Sequence, residues 1–150
     1  MTTGAPTRGD LLKSAESFCD SFANKKPIKE ILSHFSTTHA TCCFEHGLPA
    51  LAPFLGRAFT DPADYLDIIS KCLTYENARY FAYMVDAETR KVNVQGSARF
   101  TWVETKESWD EVFTYVLDFD HEAKITDWKV WADSGAAYLA KEGRLKDLQQ

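Results

Sequence analysis

Glu45 and His46 stand side by side where a β-prone segment runs into a loop rich in Pro and Gly, HGLPALAPFLGRAFT. A carboxylate or imidazole at such a place can serve as a general base, because partial burial brings its pKa toward neutrality. The plainer reading is a strand-end pair that hydrogen-bonds the loop. Tyr115 falls in a strictly alternating segment, on the side that carries Phe113 and Leu117. A buried phenol needs a partner. Here that partner is a substrate oxygen, Glu45 or a backbone carbonyl. Glu111 shares that side but sits near a hairpin end, where it can simply reach solvent. Tyr83 resembles Tyr115 in an earlier strand whose register is open. Arg57 could bind an acidic substrate or pair with the Asp61–Asp64 turn, and the second is favoured. Phe100, Trp102, Phe113 and Trp128 would line any pocket and would equally serve as plain core.

The residue types exclude other chemistries. The His residues are scattered, with no HxH, HxxxH or HExxH, so no metal is expected. There is no Gly-rich phosphate loop, and no cofactor is expected. Cys19, Cys42, Cys43 and Cys72 form no CxxC. They read as small apolar residues in a reducing compartment. His34, His39 and His121 read as surface residues. Asp133 reads as a helix cap.

These groups need a scaffold. Four strands with two-residue alternation are expected over Arg79–Asp86, Arg90–Glu104, Ser108–Asp120 and Lys124–Ala132. A turn at Thr105–Ser108 would set Trp102 opposite Glu111, Phe100 opposite Phe113 and Ala98 opposite Tyr115. The inward face is then Val94, Ala98, Phe100 and Trp102 against Glu111, Phe113, Tyr115 and Leu117. On the last strand Thr126, Trp128 and Val130 point inward, while Ile125, Asp127, Lys129 and Trp131 point outward. Trp131, Val112 and Val116 make the outer face more apolar than a solvated sheet requires, which hints at a partner covering it.

Ahead of these strands, a helix is expected from about Arg8 to Asn24. Thr7 and Asp10 form its capping box, and Leu11, Ala15, Phe18 and Phe22 its buried stripe. A second helix starts at Pro27 and buries Ile28, Ile31, Leu32 and Phe35. A short strand follows at about Ala40–Glu45. A third helix starts at Asp61-Pro62 and turns Tyr65, Ile68, Ile69, Cys72 and Leu73 inward. A last helix, about Ser134–Glu142, ends at Gly143. The tail to Gln150 is polar. The order α-α-β-α-β-β-β-β-α implies an α+β fold with helices on one face of a curved antiparallel sheet.

At 150 residues the chain is expected to form one domain over 1–150, with an ordered core of about 8–145. A net charge of −5 argues against a nucleic-acid surface or an anionic membrane. No apolar run approaches membrane-spanning length. The start, MTTGAPTRGD, lacks the apolar core of a signal peptide, and a cytoplasmic location is expected.

This element order resembles the nuclear transport factor 2-like superfamily, and within it the SnoaL-like branch of polyketide cyclases. So do Phe44-Glu45-His46-Gly47, Phe54-Leu55-Gly56-Arg57 and the close strand pair Phe113–Asp120 and Lys124–Asp133. Ala123 stands in the turn where that family commonly has Gly. The resemblance implies a conical α+β barrel with a closed-end pocket, and a homodimer that packs sheet on sheet. Its members include ketosteroid isomerase, scytalone dehydratase, polyketide cyclases and non-catalytic binding domains. Ketosteroid isomerase has a base at the end of the first strand, where this chain has Glu45-His46. The Asp donor of that enzyme aligns with Tyr115, so no known catalytic set is reproduced outright.

Three functions are consistent with these readings. The first is a cofactor-free isomerase, cyclase or dehydratase acting on a small, apolar, oxygenated metabolite. Glu45 or His46 would shuttle the proton, Tyr115 would stabilise the oxyanion, and the aromatic cage would exclude water. The second is a non-catalytic ligand-binding protein using the same cage. The third is a protein-interaction domain using the outer face of the sheet.

Overall fold

The computed structural model describes residues 4–149; Met1–Thr3 and Gln150, the end of the polar tail, lie outside the described residues. Helix α1 spans Arg8–Ala23. Its capping box is complete: Asp10 N donates to Thr7 Oγ1 (3.1 Å) and Thr7 N donates to Asp10 Oδ2 (2.8 Å). The stripe of Leu11, Ala15, Phe18 and Phe22 is buried. Helix α2 is a short turn, Ile28–Leu32, with Pro27 as its N-cap. Ile31 and Phe35 are buried, but Ile28 is exposed, contrary to expectation: it sits at the rim of a cavity rather than in the core.

Strands β1 (Cys42–Glu45), β2 (Ala58–Phe59), β3 (Leu73–Asp86), β4 (Lys91–Trp102), β5 (Ser108–Phe119) and β6 (Ile125–Trp131) form one sheet in the order β2-β1-β6-β5-β4-β3. Helix α3 (Pro62–Cys72) precedes β3. Helix α4 (Ser134–Lys141) and a 3-10 turn at Leu145–Asp147 follow β6. The fold is α+β, a curved sheet wrapped on helices, and it differs from expectation in two ways. The sheet is mixed, because β1 runs parallel to β6. It is also open, with β2 and β3 as its edges, rather than closed into a barrel.

The β4–β5 hairpin turns earlier than expected. Lys106 N donates to Trp102 O and Trp102 N to Glu107 O, each at 2.8 Å, and Lys106 takes φ +66° to close the loop. Phe100 therefore faces Trp109, Ala98 faces Glu111 and Val94 faces Tyr115. The slip is an even number of residues, so every side chain keeps its expected face. Ile125 does not: it is 1% exposed, not outward. A register shift between Asp118 and Phe119 disrupts the alternation there; Ile125 pairs with Phe119 and also bridges to Phe35.

β3 begins six residues before its expected start. It carries two register shifts, at Glu76/Arg79 and Phe81/Met84, with Asn77 and Ala82 at φ +58° and +56°. Such bulges bend a strand and increase its twist, which curls this edge over the helices. Gly96 makes a closer approach possible. A Cβ on it would lie 2.4 Å from Phe113 Cε2, so glycine lets the Phe113 ring lie on the β4 backbone. Ala123 adopts φ +58°, the left-handed conformation that explains why glycine is usual there.

Candidate active site

The curved sheet and the helices enclose a cavity of about 280 Å³. β1 delivers its deepest acid. Cys43 and Glu45 alternate inward, Cys42 and Phe44 outward. The Glu45 backbone is held on both sides: it pairs with Val130 in β6, and its carbonyl accepts from Gly56 N at 2.8 Å. Gly56 needs φ +66° and leaves no room for a side chain, since a Cβ would meet Gly47 O at 2.6 Å. The Glu45 side chain is 5% exposed and borders the cavity.

Tyr65, fully buried on α3, donates its hydroxyl to Glu45 Oε1 at 2.5 Å. Burial pushes the Glu45 carboxyl up to about 7; the Tyr65 bond pulls it back and the charge of Glu111 adds to the rise. The Tyr65 phenol is raised well above its ordinary value by burial and by Glu45, so it stays protonated.

Glu111 reaches the same cavity from β5. Its Oε1 accepts from Trp109 Nε1 at 2.6 Å, and its Oε2 faces Asp133 N at 3.5 Å. Burial raises this carboxyl to about 7 as well, against the bonds from Trp109 and the Asp133 backbone, while the Asp133 charge raises it further. Asp133 caps α4 through Ala136 N, as its sequence position suggests. Two carboxyls that each exchange a proton near neutrality therefore border one apolar chamber.

The wall supplies donors. The Tyr115 hydroxyl lies 3.2 Å from that of Tyr80, and both side chains border the cavity. Within such a pair one O–H serves the other oxygen, which leaves the second O–H free to donate. Tyr115 therefore finds its partner in a second phenol on the same wall of the chamber, rather than in Glu45, His46 or a backbone carbonyl. Trp128 is 3% exposed, and its Nε1 has no partner among the described residues. A buried donor left unpaired costs about 1–3 kcal/mol.

The other sequence candidates are distributed as follows. Phe100 and Phe113 border the cavity. Trp102 does not; it packs beyond the chamber with Phe54, at 6.3 Å between ring centres. His46 points to the outer face, where it stacks on Trp131 at 4.2 Å, because it follows the inward Glu45 by one residue. Arg57 is exposed; it donates to Pro53 O and lies over the Phe59 ring, outside the cavity and unpaired with the Asp61–Asp64 turn. Tyr83 lies beside Cys19 rather than in the chamber. The bulge at Ala82 shifts the register between these two residues, and it is Tyr80 that reaches inward. His34, expected at the surface, is half-buried, with Nε2 3.0 Å from Ser21 Oγ. The cysteines are free thiols; burial pushes Cys19 up to about 12 and raises the other three. Among the described residues, no group of His, Cys, Asp and Glu is placed to hold a metal ion.

Sequence reasoning missed Tyr65, Trp109 and Tyr80. Helical spacing marks Tyr65 only as an inward residue of α3. The Trp109–Glu111 spacing of two residues on one strand face was the available signal for that pair.

No protein-family model matches the sequence, and no curated protein does. Solved structures do match. TerC, co-crystallised with polyporic acid, aligns with TM-score 0.73 at 12% identity over 88% of this chain and 98% of that one. An NTF2-like protein of Burkholderia pseudomallei aligns with TM-score 0.72 at 10% identity over 87% and 95%. The BvnE pinacolase of Penicillium brevicompactum aligns with TM-score 0.65 at 17% identity over 94% and 96%. The chain has the nuclear transport factor 2-like fold.

Proposed function

We propose that this protein is a cofactor-independent enzyme that isomerises, cyclises or dehydrates a small, apolar, oxygenated metabolite by acid/base catalysis. One observation carries this reading. Glu45 is a carboxyl with a pKa near 7, hydrogen-bonded to Tyr65 and facing an apolar chamber. In its ionised form it removes a proton next to a carbonyl. The spare O–H of the Tyr80–Tyr115 pair stabilises the oxyanion that forms. Glu111 in its acid form returns a proton to carbon or protonates a departing hydroxyl, which gives isomerase and dehydratase chemistry from one site. The name of BvnE, a pinacolase of the same fold, is in keeping with such chemistry.

The test needs no knowledge of the natural substrate. Nitrobenzisoxazole reports a desolvated carboxylate base: the base takes the ring C–H proton, the N–O bond breaks and a coloured cyanophenolate leaves. The protein is expected to accelerate this elimination, with a rate that rises with pH through about 7. Glu45→Gln is expected to reduce it about a hundredfold. Equal rates for both proteins with the probe bound would leave only the non-catalytic binding role.

The reading includes a homodimer through the outer sheet face. Val112 is 62% exposed and Trp131 41% exposed there, and His46 stacks on Trp131. A second copy would cover this apolar area. Sedimentation equilibrium is expected to give twice the chain mass; a 17.0 kDa species at micromolar concentration would remove the dimer.

A further inference from the structure

Lys25 and Lys26 border the cavity where α1 ends and the chain turns toward α2. Both are exposed, as are their neighbours Ile28 and Ser70 across the opening, so this is the mouth. Lys25 is fixed in place: its ammonium donates to the Tyr75 carbonyl and lies 4.7 Å from the centre of the Tyr75 ring, which itself borders the chamber. The Tyr75 hydroxyl in turn donates to Phe22 O at 2.8 Å. The Lys26 ammonium has no hydrogen-bond or ion-pair partner among the described residues.

The base of the proposed site is elsewhere. Glu45 belongs to β1 and Tyr75 to β3, with β6, β5 and β4 between them in the sheet. At about 4.8 Å per strand that is roughly 19 Å along the curved surface. The chamber thus has cations at its mouth and Glu45 on a distant strand, with rings and Glu111, on β5, between them. The −5 chain as a whole repels anions, so two cations at this opening are placed against the general charge. Lysines after a helix C-terminus also complement its dipole. That role does not require them to border the cavity.

We infer that the substrate is an anionic amphiphile: a flat apolar body with a carboxylate, enolate or phenolate held at the mouth by Lys25 and Lys26, and its reacting carbon presented to Glu45. This rests on the proposed acid/base reading of the chamber. It adds the charge of the ligand and the direction in which it enters.

Two fluorescent probes test it. Anilinonaphthalene sulfonate and N-phenylnaphthylamine share one ring skeleton and differ by the sulfonate. The wild-type protein is expected to bind the sulfonate more tightly, with an affinity that falls as salt is added, while the neutral probe shows no salt dependence. Lys25→Met with Lys26→Met, which keeps the apolar stems, is expected to weaken the sulfonate about fivefold and leave the neutral probe unchanged. If that pair does not fold, Lys26→Met alone carries the test, with Lys26→Arg as its rescue. Ala98→Phe, which fills the chamber, is expected to abolish both probes. Equal losses for both probes in the lysine variants, no loss for either, or sulfonate binding that survives Ala98→Phe would each overturn the inference. The comparison involves no turnover, so it fails or holds independently of the proton chemistry at Glu45.

Discussion

Glu45 and Asp120 are both shielded carboxyls, 5% and 4% exposed, and they are pushed in opposite directions. Glu45 accepts one hydrogen bond, from Tyr65, and otherwise faces rings, so burial wins and its pKa rises to about 7. Asp120 lies just beneath the β5–β6 turn, among exposed neighbours. Burial raises it too. That is outweighed by Ser36 Oγ at 2.6 Å and the backbone N–H groups of Lys124 and Glu122 at 3.0 and 2.8 Å, with His39 adding to the fall. Accessible area alone therefore does not separate a reactive acid from a structural one. The count of donors that the chain provides does.

The sharpest way to break this contrast is to compare stability against pH in the wild type and Glu45→Gln. Glu45 has a folded pKa near 7, above its ordinary 4.5. Its acid form is therefore the favoured buried one. Its contribution is complete below 4.5 and lost as pH rises through 7, a change of about 3 kcal/mol. Urea unfolding of Glu45→Gln is expected to lack that fall and to be more stable than wild type at pH 8. Equal pH slopes would remove the raised pKa. Asp120 has the opposite sign, its contribution being lost only as pH falls below its ordinary 3.8.

Asp120→Ala is the next test. It strands Ser36 Oγ and two turn N–H groups, and is expected to cost about 2 kcal/mol in urea unfolding without changing the nitrobenzisoxazole rate. A loss of rate at full stability would place Asp120 with Glu45 after all. The smallest effect is expected from Tyr65→Phe, about 1 kcal/mol in stability. Without the phenol, Glu45 loses the one bond that favours its ionised form. The rising limb of the pH–rate profile should move to higher pH; a shift to lower pH would show that Tyr65 holds the acid form.

Of these two carboxyls, the sequence marked only one. Glu45 was visible because a strand end before a Pro/Gly loop limits where a side chain can go. Asp120 carried no signal beyond a turn composition. The aromatic inner face was legible for the same reason that the hairpin slip did no harm: period-two alternation survives any even shift. Tyr80 and Ile125 lie next to register shifts, where that alternation fails, and both were misplaced or missed. Tyr65 shows a different limit. Helical spacing places a residue toward the core but does not say which strand it meets, and the Tyr65–Glu45 bond joins α3 to β1 across the loop that carries Gly56.

The parallel seam between β1 and β6 also has a consequence in time. Glu45 gains its neighbour Val130 only when nearly all of the chain exists. During synthesis the N-terminal helices, α3 and the β3–β4–β5 meander can pair as they emerge, each with the segment just made. β1 can pair with β2 early, but its other edge must wait until residue 130 has been made, because pairings between distant segments form slowly. The acid therefore reaches its final shielding late, and a chain cut short before β6 would carry Glu45 but lack both its Val130 neighbour and the Trp128 ring of the chamber.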